Sequence, residues 1–192
     1  MPMTSPAFPS PAHLHAAVQS LHAAEIIAYP TEAVWGLGCD PFSEAAVRRL
    51  LAVKQRREDK GLIIIAADIA QLEPWLDELS PAQKAVVAAS WPGPYTWIVP
   101  AGAAPRWLRG EHATLALRVS AHAGVRMLCR AWGGPLVSTS ANRSGEPPFP
   151  DELALRQEFG KALGYILPGQ LGGDVNPSEI RDAVSGVVLR PR

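Results

Sequence analysis

The chain has 192 residues, 47% of them hydrophobic and 19% charged, and its 18 cationic side chains balance 18 acidic ones. That length supports one domain with a substantial core and argues against a second full domain. A formal net charge of zero argues against a broad electrostatic hold on nucleic acid or on an anionic membrane.

Helix and strand signals alternate along most of the chain. Residues 1–11 are rich in proline and small side chains, with neither a basic nor an apolar stretch, so no signal peptide is indicated. Residues 1–12 are therefore expected to be a flexible N-terminal segment, and 13–192 the domain. Residues 13–24 read as a helix, and 25–29 as a short buried strand ended by Pro30. Ser43 caps a helix with Glu44 in its first turn and Val47, Leu50 and Leu51 as its apolar stripe. Residues 62–66 read as a buried strand. Asp68 and Ser80 are expected to cap two further helices, the second helped by Pro81 at its first position. Residues 95–99 and 114–119 read as strands, the latter setting Leu115, Leu117 and Val119 opposite Thr114, Ala116 and Arg118. A helix over 123–132 stops at Gly133 and Gly134. Residues 136–139 are again a strand, and Asp151 opens another helix. The stretches 180–183 and 187–190 flank Ser185 and Gly186 as a hairpin. Residues 142–150, with Gly145, Pro147, Pro148 and Pro150, form a loop too short to separate domains. This interleaving predicts a single α/β (α+β) domain, a mixed sheet with helices packed on it.

Cys39 and Cys129 form no CxxC and sit among apolar neighbours, which suits buried free thiols in a reducing cytoplasm. The longest apolar stretch, 62–67, is far too short to cross a bilayer. A soluble, cytoplasmic protein is expected.

Charge is uneven despite the overall balance. Residues 48–60 hold six cations against Glu58 and Asp59, and residues 101–130 hold five arginines against Glu111 alone. Two positive regions on a neutral chain read as sites. In the first, Lys54 and Arg56 stand where an amphipathic helix runs out. Such cations can simply complement the helix dipole in water, or leave the helix end together to hold an anion. The second reading gains from Asp59, Lys60 and Gly61, which return the chain directly into a buried strand. The strand at 136–139 runs into Ser138, Thr139, Ser140 and Asn142, four hydrogen-bonding groups within five positions. Turn-forming polar residues explain such a strand end blandly. A ligand rich in acceptors, bound at the strand end, would satisfy all four. Arg118 lies inside an alternating strand, where arginine requires a wet or paired face. Thr31 and Glu32 could line a site, with Gly36 and Gly38 allowing close backbone approach. His112 and His122 lack metal-ligand spacing, and no serine has a convincing His and acid partner, so neither zinc nor a hydrolase triad is expected.

Together these segments closely resemble the YrdC/TsaC family of threonylcarbamoyl-AMP synthases, in the short bacterial form. The matching strings are YPTEAVWGLGCD (29–40), KQR (54–56), DKGL (59–62), WPGP (91–94), LRV (117–119), STSAN (138–142) with SG (144–145), and NPSEIRD (176–182). They run in family order over nearly the whole chain. The resemblance implies a twisted mixed sheet with a concave, basic cleft. It implies a nucleotidyltransferase that converts L-threonine, bicarbonate and ATP to L-threonylcarbamoyladenylate and pyrophosphate. The product would supply t6A at position 37 of tRNAs reading codons that begin with A. By that resemblance Lys54, Arg56, Ser140 and Asn142 form a catalytic polar tetrad. Thr31 and Ser178 would contact threonine, and Ser138 and Arg190 would hold the nucleotide. Arg118 would face either the threonine carboxylate or the phosphates. Mg2+ would arrive on the nucleotide, with no metal ligands from the protein. Expected partners are the t6A-pathway proteins TsaB, TsaD and TsaE, with contact to tRNA or double-stranded RNA.

Two residues depart from the pattern. Arg57 and Gly61 stand where many relatives have proline, which would loosen the loop after Lys54. The chain stops at Arg192 without the extra domain of longer synthases, which implies a more open cleft. The main rival reading is a double-stranded RNA or tRNA-binding module, disfavoured by neutral charge and the lack of an aromatic stacking motif. Carbamoyl transfer to another acceptor is a third.

Overall fold

The computed structural model describes residues 6–149, 151–174 and 176–192. Helix α1 (Pro11–His22) opens two residues before its expected start. Ser10 accepts from the His13 amide while the His13 ring accepts from the Ser10 amide, a reciprocal cap that the serine-proline pair makes readable. Residues 10–12 thus belong to the fold, while the expectation for residues 1–5 lies outside the described residues.

Strand β1 (Ile27–Pro30) pairs antiparallel with β2 (Trp35–Cys39), setting Tyr29 opposite Gly36. β2 is a strand that residue patterning misses, because glycine at 36 and 38 removes the side chains a strand packs. The Tyr29 ring provides the cover instead. A Cβ at Gly38 would lie 2.8 Å from that ring and 2.5 Å from the Val137 carbonyl oxygen. Helix α2 (Glu44–Val53) has Ser43 as its cap and ends at Lys54, after which Gln55 takes a left-handed φ of 50°.

A 3-10 turn (Glu58–Lys60) leads into β3 (Ile63–Ala66). Asp68 makes no capping hydrogen bond, contrary to expectation. Gln71 closes that turn, accepting from the Ala67 amide at 2.8 Å, and only a 3-10 turn and the short α3 (Glu73–Leu76) follow. Helix α4 (Pro81–Ala89) carries the expected Ser80 cap. Then come β4 (Tyr95–Pro100), α5 (Arg106–Arg109), β5 (Thr114–Val119) and α6 (Ala123–Trp132), the last stopped by Gly133 at φ 85°. β6 (Leu136–Ser140), α7 (Glu152–Phe159), β7 (Tyr165–Ile166), β8 (Glu179–Asp182) and β9 (Val188–Arg190) complete the order. The short α5 and β7 carry too few residues for a periodic signal.

The strands form one mixed sheet in the order β7-β1-β2-β6-β3-β5-β4-β8-β9, with parallel pairs β1–β7, β3–β5 and β4–β8. One face buries Leu37, Ile64, Leu117, Trp97 and Val99 against α2, α3, α4, α5 and α7. The other face is roofed at one end, where Ile27, Tyr29, Ile65 and Leu136 pack under α1 and α6. Beyond that roof the same face carries Gly36, Ser138, Ala116 and Ile98, side chains too small or too sparse to draw a helix onto the sheet. They floor a cavity. Among the described residues no helix is long and apolar enough to cross a membrane.

Candidate active site

The cavity has a volume of about 540 Å³, within the range of small-ligand sites. It is lined by Thr31, Arg56, Arg118, Ser138, Ser140, Ser178 and Arg190, which come from six different segments of the chain. Its charged lining is completed by Lys60 and Arg109 on one side of the balance and Glu32 and Asp174 on the other.

Two segments far apart in the chain meet through Lys54. Its ammonium is almost fully buried, at 2% exposure, and donates to the Ser140 carbonyl oxygen, to the Asn142 carbonyl oxygen at 2.7 Å and to Asn142 Oδ1 at 3.1 Å. The Ser144 amide returns the contact by donating to the Lys54 carbonyl at 2.9 Å. Lys54 and Asn142 therefore stand behind the cavity wall and are not among the residues that line it. The two cations do not leave the helix end together. The left-handed Gln55 turns the backbone between them, so Lys54 points into the protein and Arg56 into the cavity. Burial, then the neighbouring Arg56 charge, pulls the Lys54 ammonium down to about 8. Three acceptor oxygens fill the three donors of its protonated form. Ser140 Oγ donates to Asn142 Oδ1 at 2.6 Å, and Asn142 Nδ2 donates to the Glu146 carbonyl at 2.5 Å. Arg56 donates one N–H to the Gly61 carbonyl at 2.9 Å, while its buried Nε has no hydrogen-bond partner among the described residues.

At the far end of the floor Arg118 projects from β5, on the face opposite Leu117 and Val119 as its alternation requires. It is not a solvated surface arginine. Its Nε donates to the Gly93 carbonyl at 3.2 Å and its guanidinium lies 2.9 Å from Glu32 Oε1. Burial pushes the Glu32 carboxyl up, but Arg118 and then the Ser120 hydroxyl hold it below the usual carboxylate range. Thr31 donates through its hydroxyl to the Val34 carbonyl at 2.6 Å, shaping the β1–β2 turn. Ser178 is buried and its hydroxyl meets the Thr96 hydroxyl at 2.8 Å. The Ser178 carbonyl accepts from the Arg190 guanidinium at 2.7 Å across the β8–β9 hairpin.

Only part of each basic stretch faces the cavity. Arg48 pairs with Glu44 and Glu58, Arg57 with Asp59, and Arg106 with Glu111, all at the surface. Arg126 holds the Ala67 carbonyl at 3.0 Å. Lys60, Arg109, His112 and Asp174 line the cavity without having been singled out from the sequence. Arg109 was visible as charge alone, Lys60 only as part of the turn that returns the chain to β3, and nothing in the pattern around Asp174 marked it. Cys39 and Cys129 are free and buried, and burial pushes both thiols up, Cys129 to about 12.

A mixed sheet whose open face gathers arginines and strand-end hydroxyls into one cavity is an α/β enzyme architecture suited to a small polyanionic ligand. The family model described as "Telomere recombination", which spans the Sua5, YciO and YrdC proteins, matches residues 19–191. The chain belongs to this Sua5/YciO/YrdC family. It is 58% identical to the threonylcarbamoyl-AMP synthase of Chromohalobacter salexigens over 91% of this chain and 94% of that protein. It is 56% identical to the threonylcarbamoyl-AMP synthase of Stenotrophomonas maltophilia, over 92% and 97%. Among solved structures, Sua5 of P. abyssi in complex with L-threonine aligns with a TM-score of 0.85 at 30% identity. That alignment covers 93% of this chain but 53% of the Sua5 chain, so this chain spans about half the Sua5 length.

Proposed function

We propose that the chain is a threonylcarbamoyl-AMP synthase that joins L-threonine, bicarbonate and ATP into L-threonylcarbamoyladenylate and pyrophosphate, for t6A in tRNAs reading codons that begin with A. The observation that carries this reading is the single cavity lined by Thr31, Arg56, Arg118, Ser138, Ser140, Ser178 and Arg190. Relatives bearing that name match nearly end to end, which supports it.

The threonine amine combines with bicarbonate to give a carbamate and water. A carbamate oxygen then attacks the α-phosphorus, the bond to the β-phosphate bridging oxygen breaks, and pyrophosphate departs. Negative charge spreads over non-bridging oxygens as this happens, so fixed cations and aligned donors supply the catalysis. Arg56, which gives one N–H to the Gly61 carbonyl, offers its remaining guanidinium donors at the cavity wall. Ser138 and Ser140 face the same space from β6, and Ser140 can turn its hydroxyl from Asn142 to an arriving phosphate. Lys54 keeps Asn142 Oδ1 satisfied when that happens. In this reading the tetrad divides its labour, Arg56 and Ser140 touching the ligand and Lys54 and Asn142 holding them in place. Thr31 and Ser178 contact threonine, and Ser138 and Arg190 hold the nucleotide.

Mg2+, when bound, supplies charge neutralisation on the triphosphate. Among the described residues no cluster of three or more His, Cys, Asp or Glu could hold a metal, and Glu32 and Asp174 are each engaged by an arginine. The donor set therefore fits an ion carried in by the nucleotide. We place the protein in the cytoplasm, where free thiols persist and tRNA is available, alongside TsaB, TsaD and TsaE.

The test is pyrophosphate release, with mass detection of the adenylate, from purified protein given all three substrates. Product should require each one. Equal release without threonine would point to carbamoyl transfer on another acceptor. No release, with tRNA binding that weakens steeply with salt, would favour a nucleic-acid-binding module.

A further inference from the structure

We infer that Glu32 is a positioning residue, which fixes the Arg118 guanidinium so that its free N–H edge meets the α-carboxylate of the amino-acid substrate. The inference rests on the synthase reading above and adds to it a residue and the group that residue serves. Glu32 lies in the β1–β2 turn, is only 9% exposed, and borders the cavity. Its Oε1 is the hub of the turn after β5. It accepts from the Ser120 hydroxyl at 2.7 Å, the Ala121 amide at 3.0 Å and the His122 amide at 3.3 Å, and the Arg118 guanidinium lies 2.9 Å away. Those donors come from one chain segment and clamp the carboxylate, so it can in turn clamp the arginine. The Gly93 carbonyl takes Arg118 Nε from the other side. Two fixed acceptors leave a guanidinium little freedom to rotate, and its remaining donors point where neither acceptor is.

The location favours the amino acid over the nucleotide. Thr31 adjoins Glu32 in sequence and lines the same cavity. Arg118 stands one register step beyond the Leu117–Trp97 pair, opposite Thr96, whose hydroxyl binds Ser178. A charged residue flanked by short hydroxyls suits a small zwitterion with a carboxylate and a side-chain hydroxyl. Among the described residues Glu32 Oε2 is buried without a hydrogen-bond partner; burial works against the charged carboxylate, and Arg118, then the Ser120 hydroxyl and the backbone amides, hold it in that form. A neutral glutamine would preserve the shape and the turn's acceptor while removing that charge.

The experiment is a double-mutant cycle on adenylate formation with Glu32→Gln, Arg118→Ala and the pair, the melting temperature recorded for each. Glu32→Gln should raise the threonine KM about tenfold, the size expected for groups in direct contact, with kcat and the ATP KM within about twofold. In the Arg118→Ala background the same change should have almost no further effect. Ser80→Ala, which removes the cap of α4 away from the cavity, serves as the structural control, lowering melting temperature without moving the threonine KM. Additive effects of the two changes would overturn the positioning role while leaving the synthase reading intact. A shift in the ATP KM alone would overturn the assignment to the amino acid. Unchanged kinetics in Arg118→Ala would remove that residue from substrate binding and the inference with it.

Discussion

Lys54 and Arg56 are two positions apart, yet the fold puts them to different uses. Arg56 lines the cavity and makes one hydrogen bond to protein, so Arg56→Ala should leave the melting temperature nearly unchanged. It should lower kcat/KM for the adenylate by about 10²–10³-fold, as the loss of one aligned donor to a developing oxyanion does. Lys54 has a different signature because its ammonium is buried. Its titration is pulled from the ordinary 10.5 to about 8 in the folded chain. Between those values the unfolded chain binds more protons, so on this group's account stability rises as pH climbs from about 8 towards 10.5. The burial cost is fully present below about 8. Activity should run the other way, since losing the proton removes one of three donors that hold Ser140 and Asn142. Adenylate formation is expected to fall through pH about 8 with no matching fall in melting temperature, and Lys54→Met should abolish that limb of the profile. A pH profile with its limb unchanged in Lys54→Met would assign the titration to another group.

Strands β1, β2 and β6 show how an element can be shaped by what must not fill it. Gly38 sits between the Tyr29 ring and the Val137 carbonyl, with no room for a methyl group. Gly38→Ala would force that ring or β6 to move, at a cost of about 1–3 kcal/mol from overpacking. Because Ser138 pairs with Gly38 in the sheet, the displacement should also reach the cavity floor. Chemical denaturation should show a lower midpoint for Gly38→Ala, together with a raised ATP KM. An unchanged midpoint would mean that the sheet absorbs the methyl group without shifting.

Across the molecule, the sheet is thick at one end and thin at the other. Its central strands β6, β3 and β5 are each paired on both edges, whereas β9 is exposed along its length at the sheet edge. Amide exchange should accordingly be slowest in β3, β5 and β6 and fastest across 180–190. Ser178 and Arg190 both line the cavity, so ATP and threonine should selectively slow exchange in the β8–β9 hairpin. Ligand at a hundred times its Kd adds about 2.7 kcal/mol to global stability. Uniform slowing, with no excess at 180–190, would detach that hairpin from the binding site.

Helix α2 with its Ser43 cap, α6 with its glycine stop, and strands β3, β4 and β5 follow from periodicity and capping chemistry, because those signals are local. The polar run from Ser138 to Asn142, the cations at 54 and 56, and the lone arginine at 118 were readable for the same reason: each is an unusual residue type for its element. Local pattern could not reveal that Trp35–Cys39 is a strand, since its packing partner is a tyrosine ring from the preceding strand. Nor could it separate Lys54 from Arg56, whose opposite directions are set by one left-handed residue and by acceptors almost ninety positions away. The Glu32–Arg118 pair and the place of Asp174 likewise depend on chain segments that meet only after the sheet has assembled. Side-chain type is written along the chain, whereas direction and partner arise from long-range burial.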